Sequence, residues 1–313
     1  MNLKSIKIGK LHTENNVFLA PLAGYTNAVF REMCYGLGAG LTFTEMVSAK
    51  GLYYGSEKTR ELLHVTKDYG GIKACQIFGN DPEIMRQACE SEALKDFDLV
   101  DINMGCPMPK IYNNGEGSAL LNDLPLAGKI ISACKKSGKA VSVKFRIGLD
   151  ENRLISAEFA RMCEDSGADM ICVHGRTRDR IYAGAVNYNE IAAAKNAVKI
   201  PVIANGGVFG SSDAEKIMAK TGADGVEVAR GAMYNPWIFA KICGNPLPDK
   251  RQFVLTQLEK TEELYGGRFA CVFMRKMCAF YLKSQKGCAQ IRAKLFACPT
   301  CEELKELISA LSF

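Results

Sequence analysis

The chain has 313 residues, 48% of them hydrophobic and 24% charged, with a formal net charge of +6. This is the composition of an ordinary soluble globular protein with enough apolar residues for a sizeable core. No apolar run approaches the ~18 residues that span a bilayer, and the start MNLKSIKIGKLHTENN lacks the features of a signal peptide, so we expect a cytoplasmic protein without a membrane anchor.

The thirteen cysteines do not predict a disulfide framework. Their number is odd, they are scattered through apolar segments, and a reducing cytosol keeps them as thiols. The one close pair, Cys298 and Cys301, has no second pair nearby at the spacing of a zinc or cluster site. We therefore expect no metal.

Short apolar runs alternate along the chain with longer amphipathic segments. Several of these segments, such as DPEIMRQACESEAL and SSDAEKIMAKTG, open on Ser or Asp as capped helices do. The predicted strands are 16–20, 41–45, 73–78, 98–103, 140–145, 170–174, 201–205 and 225–229. Eight β-then-α units over roughly 220 residues predict an α/β fold, a TIM (β/α)8 barrel.

Such barrels carry their active sites on the loops that follow the strands. Seven of the eight predicted strand ends carry polar or glycine-rich residues: PLAG (21–24), Gln76 with FGN, Asn103 with GCP, Lys144 with Arg146, HGRT (174–177), NGG (205–207) and ARG (229–231). Each alone is compatible with a turn or a satisfied cap. Their coincidence on one rim predicts a site.

The residue types at this rim suit one ligand, FMN. The NGG and ARG loops can bind a phosphate through backbone N–H groups, with Arg230 as a charged fork. Gln76, Asn103, Lys144 and His174 can hydrogen-bond a flat heterocycle, and an ammonium favours the negative charge of a reduced flavin. The alternatives are a rim salt bridge for Lys144 and a capping role for His174.

Cys106 directly follows a predicted strand. Gly105 permits a positive φ and Pro107 fixes φ near −65°, so this thiol is presented on an unusual, rigid backbone. The alternative is a small buried apolar residue, which is what most free cysteines are.

From about residue 245 the pattern changes to helices without a strand signal. We therefore divide the chain into a barrel domain, 1–244, and a small all-helical domain, 245–313. The second domain contains 11 Lys and Arg residues and 7 Asp and Glu residues. Six basic residues lie close together in this domain and predict phosphate contacts. The alternative is a solvated helix face. The six residues are Arg275, Lys276, Lys283, Lys286, Arg292 and Lys294.

With these motifs in place, the chain resembles the tRNA-dihydrouridine synthases over nearly its whole length. The matching segments are APLAGYTNAVFR, QIFGNDPE, DINMGCPMPKIYNNGEGSALL, VSVKFRIG, VHGRTRDRIYAG, PVIANGGV, VARGAMYNPWIF and MRKMCAFYLKSQKGCAQIR. The most specific is NMGCP followed by Lys and then GxGSALL. Departures from the family pattern occur at Leu22, Gly207 and Ala229 in the barrel and around Met277, Phe280 and Lys286 in the tail.

The resemblance implies Cys106 as the acid that protonates uracil C5, in a reduction of tRNA uridine to dihydrouridine with bound FMN and with NADPH as electron donor. It implies cofactor contacts from Pro21, Leu22, Ala23, Gln76, Lys144, His174, Asn205, Gly206, Gly207, Ala229 and Arg230. Substrate contacts are expected from Asn103, Arg146, Lys283, Lys286 and Arg292. We expect a monomer.

Two rival readings stay open at this point. An FMN barrel acting on a free pyrimidine or a dihydroorotate-like substrate would not need the basic helical tail. An RNA-binding protein without chemistry would not need Cys106, Lys144 and His174 together.

Overall fold

The computed structural model describes residues 2–283 and 287–311. Its centre is a closed barrel of eight parallel strands, which confirms the predicted fold class. The barrel strands are β3 (Val17–Leu19), β4 (Leu41–Ser48), β5 (Ala74–Phe78), β6 (Leu99–Met104), β7 (Ala140–Arg146), β8 (Met170–His174), β9 (Val202–Asn205) and β10 (Gly225–Val228). Strand β10 pairs with both β9 and β3 and so closes the barrel.

Helices surround the barrel and connect its strands. They are α1 (Ala28–Gly36), α2 (Ala49–Tyr53), α3 (Glu57–Glu61), α4 (Pro82–Glu90), α5 (Pro109–Tyr112), α6 (Leu124–Lys135), α7 (Ser156–Asp165), α8 (Tyr188–Ala197), α9 (Ser211–Thr221), α10 (Arg230–Tyr234) and α11 (Ile238–Cys243), with 3-10 turns at Glu92–Leu94 and Gly117–Asn122. The sequence cues operate as expected in α4, where Asp81 accepts the backbone N–H groups of Glu83 and Ile84 and Pro82 occupies the first turn.

The sequence pattern missed one element, a two-stranded hairpin of β1 (Lys7–Ile8) and β2 (Leu11–His12). Its strands are too short for the alternation of polar and apolar residues to reveal them. Ile6 and Ile8 are buried in the same apolar cluster as Phe18 and Leu41, so the hairpin region packs onto the interior of the barrel.

Side chains inside the barrel form an apolar layer and, toward the carboxyl ends of the strands, a polar one. Successive strand residues point to opposite faces, and on β6 Leu99 joins the inner apolar cluster whereas Val100 and Ile102 join the outer one. The next inward positions on β6 are Asp101 and Asn103, both buried. The alternation therefore directs polar groups to the end where a barrel keeps its active site.

The last four helices are α12 (Lys250–Tyr265), α13 (Gly267–Tyr281), α14 (Cys288–Ala297) and α15 (Cys301–Ser309). They pack on one another, and α13 also packs on α10 of the barrel. Trp237, just before α11, contacts Phe253 of α12 and Tyr281 of α13, with ring centroids 6.0 and 5.7 Å apart. In the described ranges no helix is long and apolar enough to cross a bilayer.

Candidate active site

A cavity of about 410 Å³ opens at the carboxyl ends of the barrel strands. The structure brings the predicted barrel residues together in its lining: Pro21, Leu22, Ala23, Gln76, Asn103, Cys106, Lys144, Arg146, His174, Asn205, Gly206, Gly207, Ala229 and Arg230. Of the three predicted tail residues, Lys283 and Arg292 are not in this lining, and Lys286 lies outside the described residues. The strand ends that the sequence marked separately thus line one pocket.

A buried ion pair lies at the base of the cavity. Lys144 Nζ is 2.8 Å from Glu227 Oε2, and Glu227 is almost completely buried. Cys172 Sγ lies beside both groups, 3.5 Å from the ammonium and 3.3 Å from the carboxylate. Burial alone lowers the pKa of Lys144, but Cys172 and Glu227 outweigh it and hold this pKa above its ordinary value. Lys144 is therefore a fixed positive charge that faces the cavity.

Cys106 lies on the loop after β6, where side chains bind the backbone N–H and C=O groups of both Gly105 and Cys106. Asn103 Oδ1 accepts the N–H groups of Gly105 at 3.2 Å and Cys106 at 2.9 Å. Arg146 Nε donates to the Gly105 carbonyl at 2.8 Å, and Ser118 Oγ donates to the Cys106 carbonyl at 2.8 Å. Gly105 does not adopt the positive φ that glycine permits. These hydrogen bonds, rather than an unusual backbone conformation, hold the thiol in a defined position over the pocket.

The Cys106 thiol is partly buried. Burial raises its pKa, and a backbone hydrogen bond from Met108 and the Arg146 guanidinium oppose this only in part. Since the ordinary pKa of a thiol is already about 8.5, the group keeps its proton at neutral pH. It can act as a proton donor rather than as a nucleophile.

His174, at the end of β8, is neutral. Burial lowers its pKa well below the ordinary value, and the positive charges of Arg146, Lys144, Arg176 and Arg230 lower it further. Its Nε2 is 3.4 Å from Arg176 Nη1. Because Arg176 is always a donor, this nitrogen accepts, and the proton of the ring is on Nδ1.

A cradle for an anion forms after β9 and β10. Gly206 and Gly207 have φ values of +124° and +71°, which side chains rarely allow, and a Cβ on either residue would crowd Val186 at 3.1 Å. Arg230 lies over the rings of Tyr182 at 4.7 Å and Phe209 at 5.8 Å. Among the residues that the structure describes, no carboxylate pairs with Arg230, so its charge is available to a ligand.

This pocket fits the proposed cofactor. Four cationic groups act on His174, and Glu227 pairs with one of them, which leaves an excess of positive charge suited to a phosphate. The glycine backbone and Arg230 provide the donors that a phosphate needs, and the buried amides of Gln76 and Asn103 also line the cavity. Gln76 is only 1% exposed, and both ends of its amide already have protein partners.

The helical region contributes to the mouth of the cavity. Lys276 Nζ donates to the carbonyl of Gly24 in the PLAG loop and lies 4.4 Å from the ring centroid of Tyr25. Burial lowers the pKa of Lys276, and Glu45 opposes this. Here the structure differs from the expectation of a phosphate contact, because this lysine is engaged in joining the two parts of the chain.

Lys283 lies on the same side, 4.4 Å from the ring centroid of Tyr234, whose ring contacts Phe280 and Phe209. Arg292 is exposed on α14 and bonds to Cys288 of its own helix. Neither of these two basic residues has a carboxylate partner among the described residues.

Sequence reasoning missed several polar residues in and beneath the pocket. Glu227 lies within an apolar strand and belongs to no motif, although a carboxylate between two valines is itself a signal of a buried partner. Asp101 lies in a strand whose apolar residues dominate the pattern. Tyr182 and Arg176 lie in the loop that follows β8, where Arg176 donates to the carbonyls of Ala183 and Gly184 and so shapes the turn that carries Tyr182.

Cys298 and Cys301 donate to backbone carbonyls of Lys294 and Gly267, at 3.4 and 3.3 Å. Within residues 2–283 and 287–311, no group of three or more His, Cys, Asp or Glu side chains could hold a metal ion.

The fold and the pocket define the class of protein, a TIM-barrel enzyme with a glycine-rich, positively charged pocket at the carboxyl ends of its strands and an appended helical region. The solved histamine dehydrogenase from Rhizobium shares the barrel, with a TM-score of 0.60 and 14% identity over 82% of this chain and 50% of that one, so this chain spans about half of its length. The chain belongs to the dihydrouridine synthase (Dus) family, whose profile matches residues 18–312.

Relatives named tRNA-dihydrouridine synthase B include proteins from Pseudomonas aeruginosa and Shewanella oneidensis. The one from Pseudomonas aeruginosa is 35% identical over 92% of this chain and 90% of its own length. The one from Shewanella oneidensis is 35% identical over 97% of each chain.

Proposed function

We propose that the protein is a tRNA-dihydrouridine synthase that reduces the C5–C6 double bond of uridines in tRNA, with bound FMN and with NADPH as the electron donor. The observation that carries this proposal is the loop of Cys106, whose backbone Asn103 and Arg146 hold over a pocket with a glycine-rich, positively charged side. FMN, when bound, supplies the hydride for C6 of the uracil.

The residues of the chain supply binding and the proton. Arg230 and the backbone of Gly206 and Gly207 hold the phosphate, and Lys144 stabilises negative charge on the reduced ring system. Cys106 donates its proton to C5 as hydride reaches C6, so that one hydride and one proton add across the double bond. The thiolate then regains a proton from solvent.

The substrate base has to leave the folded tRNA to reach this pocket, at an unstacking cost of a few kcal/mol. The aromatic rings and cations at the mouth suit a nucleic acid, since bases stack on such rings and phosphates pair with such cations. We therefore assign residues 1–244 to catalysis and 245–313 to tRNA binding, with Lys283, Lys286 and Arg292 as phosphate contacts. We expect the enzyme to act as a cytoplasmic monomer.

Two measurements test this function. The chromophore released from denatured protein should be FMN, and protein reduced with NADPH should be reoxidised by unmodified tRNA with formation of dihydrouridine in the digested nucleosides. Free uridine and dihydroorotate serve as comparison substrates. Release of FAD, no flavin after reconstitution with excess FMN, or reoxidation by the free pyrimidines as fast as by tRNA would contradict the proposal.

A further inference from the structure

A chain of hydrogen bonds runs from a buried carboxylate to the backbone of Cys106. Asp101 Oδ2 accepts from Gln76 Nε2 at 2.7 Å, and Gln76 Oε1 accepts from Asn103 Nδ2 at 2.8 Å. Asn103 Oδ1 in turn accepts the N–H of Cys106 at 2.9 Å. Ser142 Oγ donates to the other oxygen of Asp101 at 2.6 Å. We call Asp101, Gln76 and Asn103 the relay.

The two ends of the relay determine its direction. A backbone N–H can only donate, and an ionised carboxylate can only accept. Each amide between them has one donor end and one acceptor end, so only one orientation of Gln76 and Asn103 satisfies every contact. All three side chains are buried, and a reversed amide would leave buried donors facing one another, which is costly.

We propose that Asp101 is a positioning residue: its carboxylate orients the Gln76 and Asn103 amides so that Asn103 presents an oxygen, and not an NH₂ group, to the loop that carries Cys106. The inference rests on the proposed role of Cys106. It adds a residue, Asp101, that fixes the position of the Cys106 loop from beneath the pocket. Asp101 does not line the cavity, so it acts through the relay.

The test uses protein without flavin or tRNA and measures the alkylation of Cys106 by iodoacetamide, followed by mass spectrometry of the peptide that carries it. Burial raises the pKa of Asp101 to about 7, with hydrogen bonds from Ser142 and Gln76 opposing, Glu227 adding to the rise and Lys144 opposing it. The reaction is therefore run at about pH 8.5, where the carboxylate is ionised.

Asp101→Leu removes the acceptor at the end of the relay, so Gln76 can turn over and Asn103 can follow, whereas Asp101→Asn alone can keep the relay by donating its NH₂ group to Ser142 Oγ. In Asp101→Leu the N–H groups of Gly105 and Cys106 then have no acceptor while the hydrogen bonds to their carbonyls remain, so the loop loosens without unfolding. We expect Cys106 to be alkylated about tenfold faster, because exposure returns its pKa toward the ordinary value and opens the thiol to the reagent. The control Ser142→Ala removes a hydrogen bond from the same carboxylate without reversing the relay and should leave the rate unchanged.

The rescue variant combines Asp101→Asn with Gln76→Glu. The carboxylate introduced at position 76 accepts both from the new amide at position 101 and from Asn103. The carboxylate thus moves from position 101 to position 76, and the net charge stays the same. Asn103 again presents its oxygen to the loop that carries Cys106. Alkylation should return to the wild-type rate. A merely structural role of Asp101 would not be repaired by a second change.

If Asp101→Leu does not fold, as judged by thermal unfolding, Gln76→Met interrupts the relay at its middle and should give the same rise. An unchanged alkylation rate in a folded Asp101→Leu or Gln76→Met variant, or a double variant as reactive as Asp101→Leu, overturns the inference. None of these rates involves flavin, NADPH or RNA, so a failure here is distinguishable from a failure of the proposed function.

Discussion

The ammonium of Lys144 on β7 and the carboxylate of Glu227 on β10 meet across the barrel interior, 2.8 Å apart. The two strands are not neighbours in the barrel, so the pair links separate strands at the base of the pocket. Removing one partner of such a pair leaves a buried charge without compensation, which costs about 3–5 kcal/mol.

We therefore expect Glu227→Gln and Lys144→Met each to lower the free energy of unfolding by about this amount, and the double variant to lose much less than the sum. Urea unfolding of the four proteins gives the coupling energy. As a control, Lys95→Ala removes an exposed partner of Glu92 and should change little. Additive losses at Lys144 and Glu227 would show that the pair contributes no mutual stabilisation.

The second prediction concerns Cys106→Ala. It should retain FMN and be reduced by NADPH at the normal rate, since neither step needs a proton at uracil C5. Reoxidation by tRNA in a single turnover should slow by ~10² to 10⁴, the usual cost of a lost general acid. Cys243→Ala, which changes another partly exposed thiol, serves as the control. Normal reoxidation of Cys106→Ala would remove this residue from the mechanism.

The pH dependence follows from the raised pKa of Cys106. A general acid works only while it is protonated, so single-turnover reoxidation should stay constant through neutral pH and fall as pH rises through the thiol pKa, above its ordinary value. Alkylation of the same thiol should rise over the same range, because the thiolate is the nucleophile. A midpoint below pH ~8 in the alkylation profile would contradict the assignment of a thiol that is neutral at physiological pH.

The basic residues near the mouth of the pocket provide the fourth prediction. Lys283→Gln with Arg292→Gln should weaken tRNA binding and reduce its salt dependence, by about one unit of slope for each phosphate that is no longer bound. FMN content and NADPH oxidation should not change. The matched control is Lys95→Gln with Lys199→Gln, two exposed lysines that precede β6 and β9 and so lie at the other end of the barrel. Equal slopes in both double variants would mean that only net charge matters.

The sequence alone determined the barrel and most of the pocket lining, for a local reason. Each strand is a short apolar run and each loop carries its glycine or polar residues within a few positions, and a parallel barrel necessarily gathers the strand ends at one rim. Gly105 and Pro107 drew attention to Cys106, but its predicted position on an unusual backbone was wrong, since Gly105 has no positive φ. These features need no knowledge of which strands meet.

Only the tertiary structure decided which polar side chains are partners. Lys144 meets Glu227, and Asp101 reaches Cys106 through Gln76, because closure of the barrel brings inward positions of different strands into one small buried volume. It also decided that Lys276 turns to the Gly24 carbonyl at the pocket mouth, whereas its neighbours in sequence suggested a phosphate contact. Such choices depend on contacts between distant segments, and a buried charge takes the partner that the packing provides.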